Sequence, residues 1–335
     1  MKILFASDFH IGMTRTANHT SESSQRREQE SRTVLLHALQ TTHDVAVCAG
    51  DFFDKFSNPE TTIIESLEFA DAFNYVLAGN HDSSQRDDTR SSLDIIDVSL
   101  ARCLVVKEPM NHLISSSGFA DPDAVRLWFV PHALSQGLFL GALDQAQLEA
   151  NAAGSGGVRI LVTHCSYDLS FELSTSSLNL TRERAEQLLT AFDYVLLGHE
   201  HVAREDFDGR LIVIGSHFPT SFSDLTDKRH LIFNTDTKRM DSVVHWRAGE
   251  HVYVGPGCDA PPGLQYYDLA DNSDPKLPVH LFKAGALGVR VPSSAAQQTF
   301  VHQDLPRLDL AAQIRGELAE KPELLALFDE LVADR

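Results

Sequence analysis

Short apolar runs alternate with polar clusters along the first two thirds of the chain. Five runs rich in Ile, Leu, Val and Phe end at polar clusters, and they cover residues 2–7, 44–49, 73–78, 158–162 and 193–197. Runs of this length and composition are typical of buried strands. Segments with helical spacing lie between them, at residues 31–41, 59–71, 134–150 and 181–191. The alternation predicts a layered α/β fold.

The pattern changes after Gly198 to closely spaced strand-like segments, at residues 202–207, 210–215, 230–234 and 242–246. Asp208-Gly209 is typical of a hairpin turn, so we expect this half to be antiparallel. Residues 14–32 begin as a polar loop, and residues 309–335 suggest two short helices broken at Lys321-Pro322. A Pro- and Gly-rich stretch at 255–263 indicates a boundary. We therefore expect a main domain over 1–250 and a small accessory region over 251–335.

Composition bears on where the protein is expected to act and on which partners its surface charge favours. With 335 residues, 43% hydrophobic and 22% charged, the chain is ordinary for a globular protein, and it has no apolar run of membrane-spanning length. Four scattered cysteines form no C-x-x-C pair and the first residues lack a signal-like pattern, so we expect a cytoplasmic protein. The net charge of -19 argues against a broad basic surface for nucleic acid.

A residue able to bind metal follows each of the five predicted strands. The clusters are Asp8-Phe9-His10, Gly50-Asp51, Gly79-Asn80-His81-Asp82, Thr163-His164 and Gly198-His199-Glu200-His201. Ligand sites of open α/β sheets form just outside the carboxyl ends of the strands, so we expect these clusters to converge. A single Asp-x-His or Thr-His pair is a weak signal among 16 histidines. Five clusters at strand ends predict a metal site.

The spacing within the clusters favours chelation. Residues two apart on an extended segment face the same way, so Asp8 with His10, and His199 with His201, can each address a common region. The glycines before three clusters allow sharp turns and close approach. Carboxylate, amide and imidazole ligands together suit Mn, Fe or Zn.

Residues beside the predicted ligands permit more than one interpretation. Asp54 is either a helix N-cap or a partner of a ligand, whereas Glu200 should be solvated or hydrogen-bonded elsewhere. Arg15, Arg86 and Arg90 follow the first and third clusters and could contact substrate phosphates, as could Arg26 and Arg27. A solvated charged face explains these arginines equally well.

These motifs, in this order, resemble the calcineurin-like metallophosphoesterase superfamily over about residues 1–246. The resemblance implies an α/β fold, a layered β-sandwich flanked by helices, with a small C-terminal capping region. It also implies two divalent metal ions, Mn foremost, with Fe, Zn or Mg as alternatives. The metal ligands it implies are Asp8, His10, Asp51, Asn80, His164, His199 and His201.

The same resemblance assigns roles within that set. Asp51 would bridge the ions, Asp8, His10 and His201 would serve one of them, and Asn80, His164 and His199 would complete the shell of the other. A metal-bridging hydroxide would attack phosphorus. His81 would be the general acid and Asp82 would orient its ring.

The substrate expectation rests on a narrower resemblance. Residues 8–12, 79–83 and above all 215–224, GSHFPTSFSD, resemble SbcD-type DNA-repair nuclease subunits and their phage counterparts. That likeness implies DNA as substrate, an SMC-like ATPase subunit as partner, a homodimer and no membrane. Two departures are Glu200, where an apolar residue is common, and His217, where a small residue or proline is usual.

Two other functions stay open at this point. A small-molecule phosphodiesterase or nucleotidase would account for the acidic composition directly. A non-catalytic scaffold would keep the fold for protein contacts, but it predicts lost ligands, whereas all seven and His81 are present. The choice between exonuclease and endonuclease action is open as well.

Overall fold

The computed structural model describes residues 1–13, 21–83, 90–115, 124–153, 156–168, 178–220, 226–254, 265–268 and 282–283. Within these ranges the strands are β1 Lys2–Ala6, β2 Val45–Cys48, β3 Tyr75–Leu77, β4 Leu104–Val106, β5 Met110–Ile114, β6 Val125–Val130, β7 Val158–His164, β8 Ser166–Tyr167, β9 Asn179–Leu180, β10 Tyr194–Gly198, β11 Arg204–Asp206, β12 Leu211–Val213, β13 Lys228–Asn234, β14 Arg239–Trp246, β15 His251–Val254, β16 Gln265–Asp268 and β17 Phe282–Lys283. The helices are α1 Ser21–Leu39, α2 Glu60–Ala70, α3 Ser92–Ser99, α4 Gln136–Ala152 and α5 Arg182–Leu188.

Two six-stranded sheets form the centre of the molecule. The first has the order β14-β13-β1-β2-β3-β4 and the second the order β11-β12-β10-β7-β6-β5. The strands β1 to β4 run parallel, as do β6, β7, β10 and β12, while antiparallel strands flank both blocks. Parallel strands are usually buried on both faces, which explains their continuous apolar runs. The expected α/β fold is confirmed.

Alternate residues of the central strands face different layers. In β1, Ile3 and Phe5 pack against the second sheet, and Leu4 packs against the helices outside the first sheet. In β7, Val162 faces the first sheet, and Leu161 faces the layer that contains α4 and α5. Since successive side chains on a strand point to opposite faces, one run of sequence supplies two layers of core. The result is a β-sandwich flanked by helices.

The five strands predicted before Gly198 are confirmed, but several other elements differ from the sequence expectation. Helix α1 begins at Ser21, so the polar-loop prediction is wrong for the second part of residues 14–32. Glu, Gln and Arg favour helix without an apolar stripe, and Glu28 and Arg32 form an i,i+4 ion pair at 3.1 Å. Helix α3 and strands β4 to β6 were not predicted.

The part after Gly198 is only partly antiparallel. Strands β11 and β12 form the expected hairpin around Asp208-Gly209, and β13 and β14 form another antiparallel pair. However, β12 lies parallel to β10, so the expectation of a wholly antiparallel half is wrong. The excursion through β11 returns the chain beside β10 in the same direction, which extends the second sheet.

The region after residue 250 is described only in part. Strands β15, β16 and β17 form a three-stranded sheet. The helices predicted within 309–335 lie outside the described residues. Across the described ranges, none of the helices combines the length and apolar character needed to cross a bilayer.

Candidate metal centre

The predicted ligands converge at the carboxyl ends of both sheets. Asp8 and His10 follow β1, Asp51 follows β2 and Asn80 follows β3, while His164 ends β7 and His199 and His201 follow β10. The backbone turns sharply at several of these positions. Four ligands adopt positive φ angles: Asp8 (54°), His10 (48°), Asp51 (49°) and His199 (86°). Such strained conformations concentrate at functional sites, where the surrounding structure holds them.

Two glycines allow the clusters to touch. Gly50 has a φ of 110°, and a Cβ atom there would lie 2.1 Å from His164 Nδ1. A Cβ on Gly79 would lie 2.2 Å from Asp51 Oδ1. No side chain fits at either position, so these glycines bring β2, β3 and β7 within ligand distance of one another, as the sequence analysis expects.

Asp8, His10 and His201 form what we call the first ligand group. Their donor atoms can all lie around one ion. His10 Nε2 and His201 Nε2 are 3.1 Å apart, and Asp8 Oδ1 is 3.9 Å from His201 Nε2. His10 Nε2 is also 3.9 Å from Asp51 Oδ2, which places Asp51 beside this group.

Asp51, Asn80, His164 and His199 form the second ligand group. His164 Nε2 lies 3.3 Å from Asp51 Oδ2 and 3.0 Å from Asn80 Oδ1. His199 Nδ1 lies 2.8 Å from the same Asn80 oxygen. Asp51 joins the two groups, because it clusters with His10 as well as with His164 and His199. The structure thus brings together all seven predicted ligands.

Outer contacts fix the orientation of three histidine rings. His201 Nδ1 is 2.5 Å from Thr220 Oγ1, His164 Nδ1 is 2.9 Å from the Ala49 carbonyl oxygen, and His10 Nδ1 is 3.3 Å from Asp54 Oδ1. If the Nδ1–H groups of His201 and His164 donate to their partners, each Nε2 keeps a lone pair that faces the centre. The carboxylate of Asp54 lies in close contact with His10 Nδ1. Asp54 is thereby a partner of a ligand rather than a helix N-cap.

This donor set fits metal ions. The Nε2 atoms of His10 and His201 face each other at 3.1 Å, and that of His164 faces two oxygen atoms, so a proton or a metal ion must lie between these atoms. Protons take these places when no ion is bound. The pKa of His164 is raised to about 9, because the charge of Asp51 outweighs the lowering effect of burial. Burial and the charge of His164 lower the pKa of His199 to about 3, which keeps that ring neutral.

His81 is held differently from the sequence expectation. Its ring Nδ1 is 2.6 Å from the Asp54 carbonyl oxygen, and its backbone N–H donates to Asp51 Oδ1 at 2.8 Å. Asp82 does not orient the ring. Its carboxylate accepts the backbone N–H groups of Phe52, Phe53 and Gly79 at 2.9–3.1 Å. Asp82 therefore joins the two loops that carry Asp51 and Asn80, and Asp54 positions His81.

The remaining candidates lie beside the centre or outside the described part of the chain. Glu200 accepts hydrogen bonds from the Tyr167 N–H at 2.6 Å and from Arg204 at 2.7 Å, as expected for a residue facing away. Arg90 is exposed and lies near Asp94 at the start of α3. Arg15 and Arg86 lie outside the described residues, as does the side chain of Arg26.

One histidine beside the centre was not predicted from the sequence. His132 follows the end of β6, and its backbone N–H donates to the Ala78 carbonyl at 3.0 Å. Burial and the nearby His164 lower its pKa to about 4. An apolar run that ends at Pro131-His132 repeats the pattern of the other clusters, so the sequence did contain a signal.

Comparison with known proteins assigns the chain to a family. Residues 1–203 match the family model described as calcineurin-like phosphoesterase. A search of curated proteins found no match. Among solved structures, a Staphylococcus aureus protein to which 5′-nucleotidase activity is ascribed is 13% identical at a TM-score of 0.43, with 73% of this chain and 53% of that chain covered. This chain thus spans about half the length of that protein.

The calcineurin-like phosphoesterase YfkN from Bacillus subtilis is likewise 13% identical, at a TM-score of 0.40, with 73% of this chain and 88% of that chain covered. The family match extends over more than half of this sequence and includes all seven candidate ligands. This chain belongs to the calcineurin-like phosphoesterase family.

Proposed function

We propose that this protein is a two-metal-dependent phosphodiesterase that cleaves DNA. Asp8, His10 and His201 would hold one ion, and Asn80, His164 and His199 the other, with Asp51 between them. The mixture of carboxylate, amide and imidazole ligands favours manganese, with Fe, Zn and Mg as alternatives. Two divalent ions in such a site neutralise charge on the phosphoryl oxygens and lower the pKa of bound water.

The protein's own residues supply orientation and a proton. Asp54 accepts from His81 Nδ1 through its carbonyl oxygen, so the proton to be transferred would be held by the other ring nitrogen, Nε2, in the imidazolium form of the ring. We assign His81 as the group that protonates the departing oxygen. Asp82 keeps the loops of Asp51 and Asn80 together through three backbone N–H groups. Its role is to position the loops rather than to transfer a proton.

The observation that carries the DNA proposal is the contact between residues 215–220 and the first ligand group. This segment is the larger part of residues 215–224, the stretch in which the resemblance to SbcD-type nucleases matters most. Thr220 Oγ1 contacts His201 Nδ1 at 2.5 Å, and the Ser216 N–H donates to the His201 carbonyl at 3.1 Å. The segment therefore supports a metal ligand directly, and its likeness to those nucleases bears on the site itself.

The wider assembly belongs to the same proposal. We expect a homodimer and an SMC-like ATPase partner, as in the SbcD-type complexes that the sequence resembles. A cytoplasmic setting agrees with the free, buried thiols of Cys48, Cys103 and Cys165. Analytical ultracentrifugation of the purified chain tests the dimer. A monomer at micromolar concentration would contradict it.

A second candidate is a small-molecule phosphodiesterase or nucleotidase. The observation in its favour is the net charge of -19, since affinity for long nucleic acids comes largely from Lys and Arg neutralising phosphates. A small ester needs only the charge of the ions. The two candidates differ in substrate size and share the same ligands.

One experiment separates them. A linear duplex labelled at either end is incubated with Mn or Mg, beside bis-p-nitrophenyl phosphate and a cyclic nucleotide. We expect manganese-dependent shortening of the DNA that is lost in His81→Ala, while metal content by elemental analysis stays unchanged. Intact DNA with rapid turnover of the small esters, also in the presence of the ATPase partner, would favour the second candidate.

A matched control keeps the role of His81 distinct from general damage. His112 lies on β5, away from the ligand groups, so His112→Ala should retain full cleavage. If His81→Ala cleaves at the wild-type rate, the assignment of the proton donor is wrong even though the nuclease proposal stands.

A further inference from the structure

A cavity opens beside the first ligand group, between α1 and residues 217–220. Its volume is about 300 Å³, at the lower end of the range for small-molecule sites. The lining that matters here consists of Phe9, His10, Arg27, His217, Phe218 and Thr220. Two of these six belong to the metal centre or support it. The cavity is therefore continuous with the site without being part of the ligand set.

The walls of this cavity have flat, apolar and cationic surfaces. Phe218 is only 7% exposed and packs edge-on against Trp246, with ring centroids 5.7 Å apart. The guanidinium group of Arg27 lies 5.8 Å from the Phe218 ring centroid, and its Nη2 donates to the Pro219 carbonyl oxygen at 2.5 Å. The guanidinium group of Arg27 and the small exposed part of Phe218 together form a wall that a heteroaromatic ring can contact.

His217 adds a buried polar group to the wall. It is 1% exposed, and neither ring nitrogen reaches a hydrogen-bond partner within the described residues, although the Ser31 backbone lies near it. An imidazole ring can offer both a donor and an acceptor, which matches the mixed edge of a nucleobase.

The rim disfavours an anionic group in the cavity. Arg32 is paired with Glu28 at 3.1 Å and with Glu65, so its charge is already balanced. Glu28 itself lines the opening. A phosphate in the cavity would be repelled by this carboxylate, although Arg27 lies in the same wall, whereas an uncharged ring would not be repelled. The charged part of a ligand is better placed at the first ligand group.

We infer that this cavity binds the nucleobase of a nucleotide whose phosphate lies at the first ligand group. The inference rests on the proposed function and specifies the part of the substrate next to the cleaved bond. Its structural basis is that His10 and Thr220, which lines the cavity and contacts His201, lie between the two places. A base in this cavity is unstacked from its neighbours, as in enzymes that bind an extruded or terminal nucleotide.

Binding of two phosphonate probes tests the inference without turnover. One is the phosphonate analogue of deoxyadenosine monophosphate, in which a methylene group replaces the ester oxygen, and the other is the same analogue of deoxyribose phosphate without a base. Calorimetry with manganese present should give roughly tenfold or more tighter binding of the base-containing probe. Ser31→Phe, which fills the cavity from α1, should abolish this preference.

Controls address folding and location. Thr33→Phe places the same side chain on the exposed side of α1 and should keep the preference. Phe218→Ala should reduce the preference, with the thermal unfolding midpoint measured alongside. A Ser31→Phe protein that is folded and still prefers the base-containing probe would overturn the inference. Equal binding of both probes by the wild-type protein would overturn it too.

The source of the base and the nuclease proposal are then tested separately. A 5′-labelled duplex, a single strand and a free nucleotide are compared as substrates of the wild type and Ser31→Phe. If Ser31→Phe abolishes the base preference and the wild-type protein leaves the DNA intact, the cavity inference is supported and the nuclease proposal is contradicted. If the wild-type protein cleaves DNA but binds the probes with and without a base equally well, the nuclease proposal is supported and the cavity inference is contradicted.

Discussion

The two ligand groups contain similar side chains but are supported by different parts of the fold. His164 is the last residue of β7, pairs with Gly198 in the second sheet and is wholly buried. His201 lies beyond β10 in a loop, and its side chain is 26% exposed. Its ring and carbonyl oxygen depend on Thr220, Ser216 and Lys228.

This difference concerns rigidity and not chemistry. The second group is built from strand ends and a backbone carbonyl, which core packing fixes before any ion arrives. In the first group, His201 depends on residues 215–220, a segment without regular structure, whereas Asp8 and His10 are buried where β1 ends. We therefore expect the second group to hold its ion more tightly, and the first to respond more to changes outside the ligands. Four experiments test this comparison, beginning with the largest expected effect.

Asp51 is shared by both ligand groups, so changing it should weaken metal binding in both groups alike. Asp51→Asn weakens the charge that both groups use, so we expect bis-p-nitrophenyl phosphate hydrolysis to fall on the order of 10³-fold or more. Elemental analysis after dialysis should find less metal in both positions. Asp236→Asn, at an exposed carboxylate, is the control. Loss of a single ion would show that Asp51 serves one group only.

The second group should give the metal-free protein a distinctive pH dependence. The folded pKa of His164 is about 9 and its ordinary value is 6.5, so its stabilising contribution is complete below pH 6.5 and is lost as pH rises through 9. The loss in free energy of unfolding should be a few kcal/mol, about 1.4 per pKa unit. Urea denaturation with a chelator, from pH 6.5 to 9.5, measures it.

Two further measurements isolate His164 in that experiment. His164→Asn should remove most of the decline above pH 6.5, and excess manganese should replace the proton and flatten the wild-type curve. His199 and His201 do not interfere. Their pKa values are lowered to about 3, so their contributions are lost only as pH falls below 6.5. An unchanged decline in His164→Asn would refute this origin.

The sequence predicted the ligands better than what supports them. Each ligand lies at or just after the end of a buried strand, and strand ends can be recognised from local apolar runs. Ligands such as Asp51 and His164 could therefore be predicted from the sequence. Thr220 and Asp54 act across the fold, on His201 and on the rings of His10 and His81. No local pattern encodes the contact of Thr220, and this also explains the wrong role given to Asp82, whereas for Asp54 the sequence left a choice between a helix N-cap and a partner of a ligand. The polar first half of α1 was missed because it lacks an apolar stripe.

A change at Thr220 tests whether the loop supports the first group. Thr220→Val keeps the shape of the side chain but removes the oxygen that contacts His201 Nδ1, so we expect a 10- to 100-fold weaker affinity for one of two ions. The matched control is Thr163→Val, at a buried threonine whose hydroxyl donates to the Val130 carbonyl at 2.7 Å. Metal titration by calorimetry should show two steps, of which only one shifts. Equal effects of the two substitutions would contradict the comparison.

The smallest expected effect is at Glu200, between two ligands in sequence. Its carboxylate accepts from the Tyr167 N–H and from Arg204 and faces away from the ions. Glu200→Gln keeps an oxygen for the N–H and weakens a partly exposed ion pair, so stability should change by less than about 1 kcal/mol. Metal affinity should not change, as in the control Glu205→Gln, whose partner is Arg229 at 2.6 Å. Weaker metal binding in Glu200→Gln alone would mean that β8, which pairs with β9, also supports the first group through Tyr167 and Glu200, and the contrast between a rigid and a loop-supported half would be wrong.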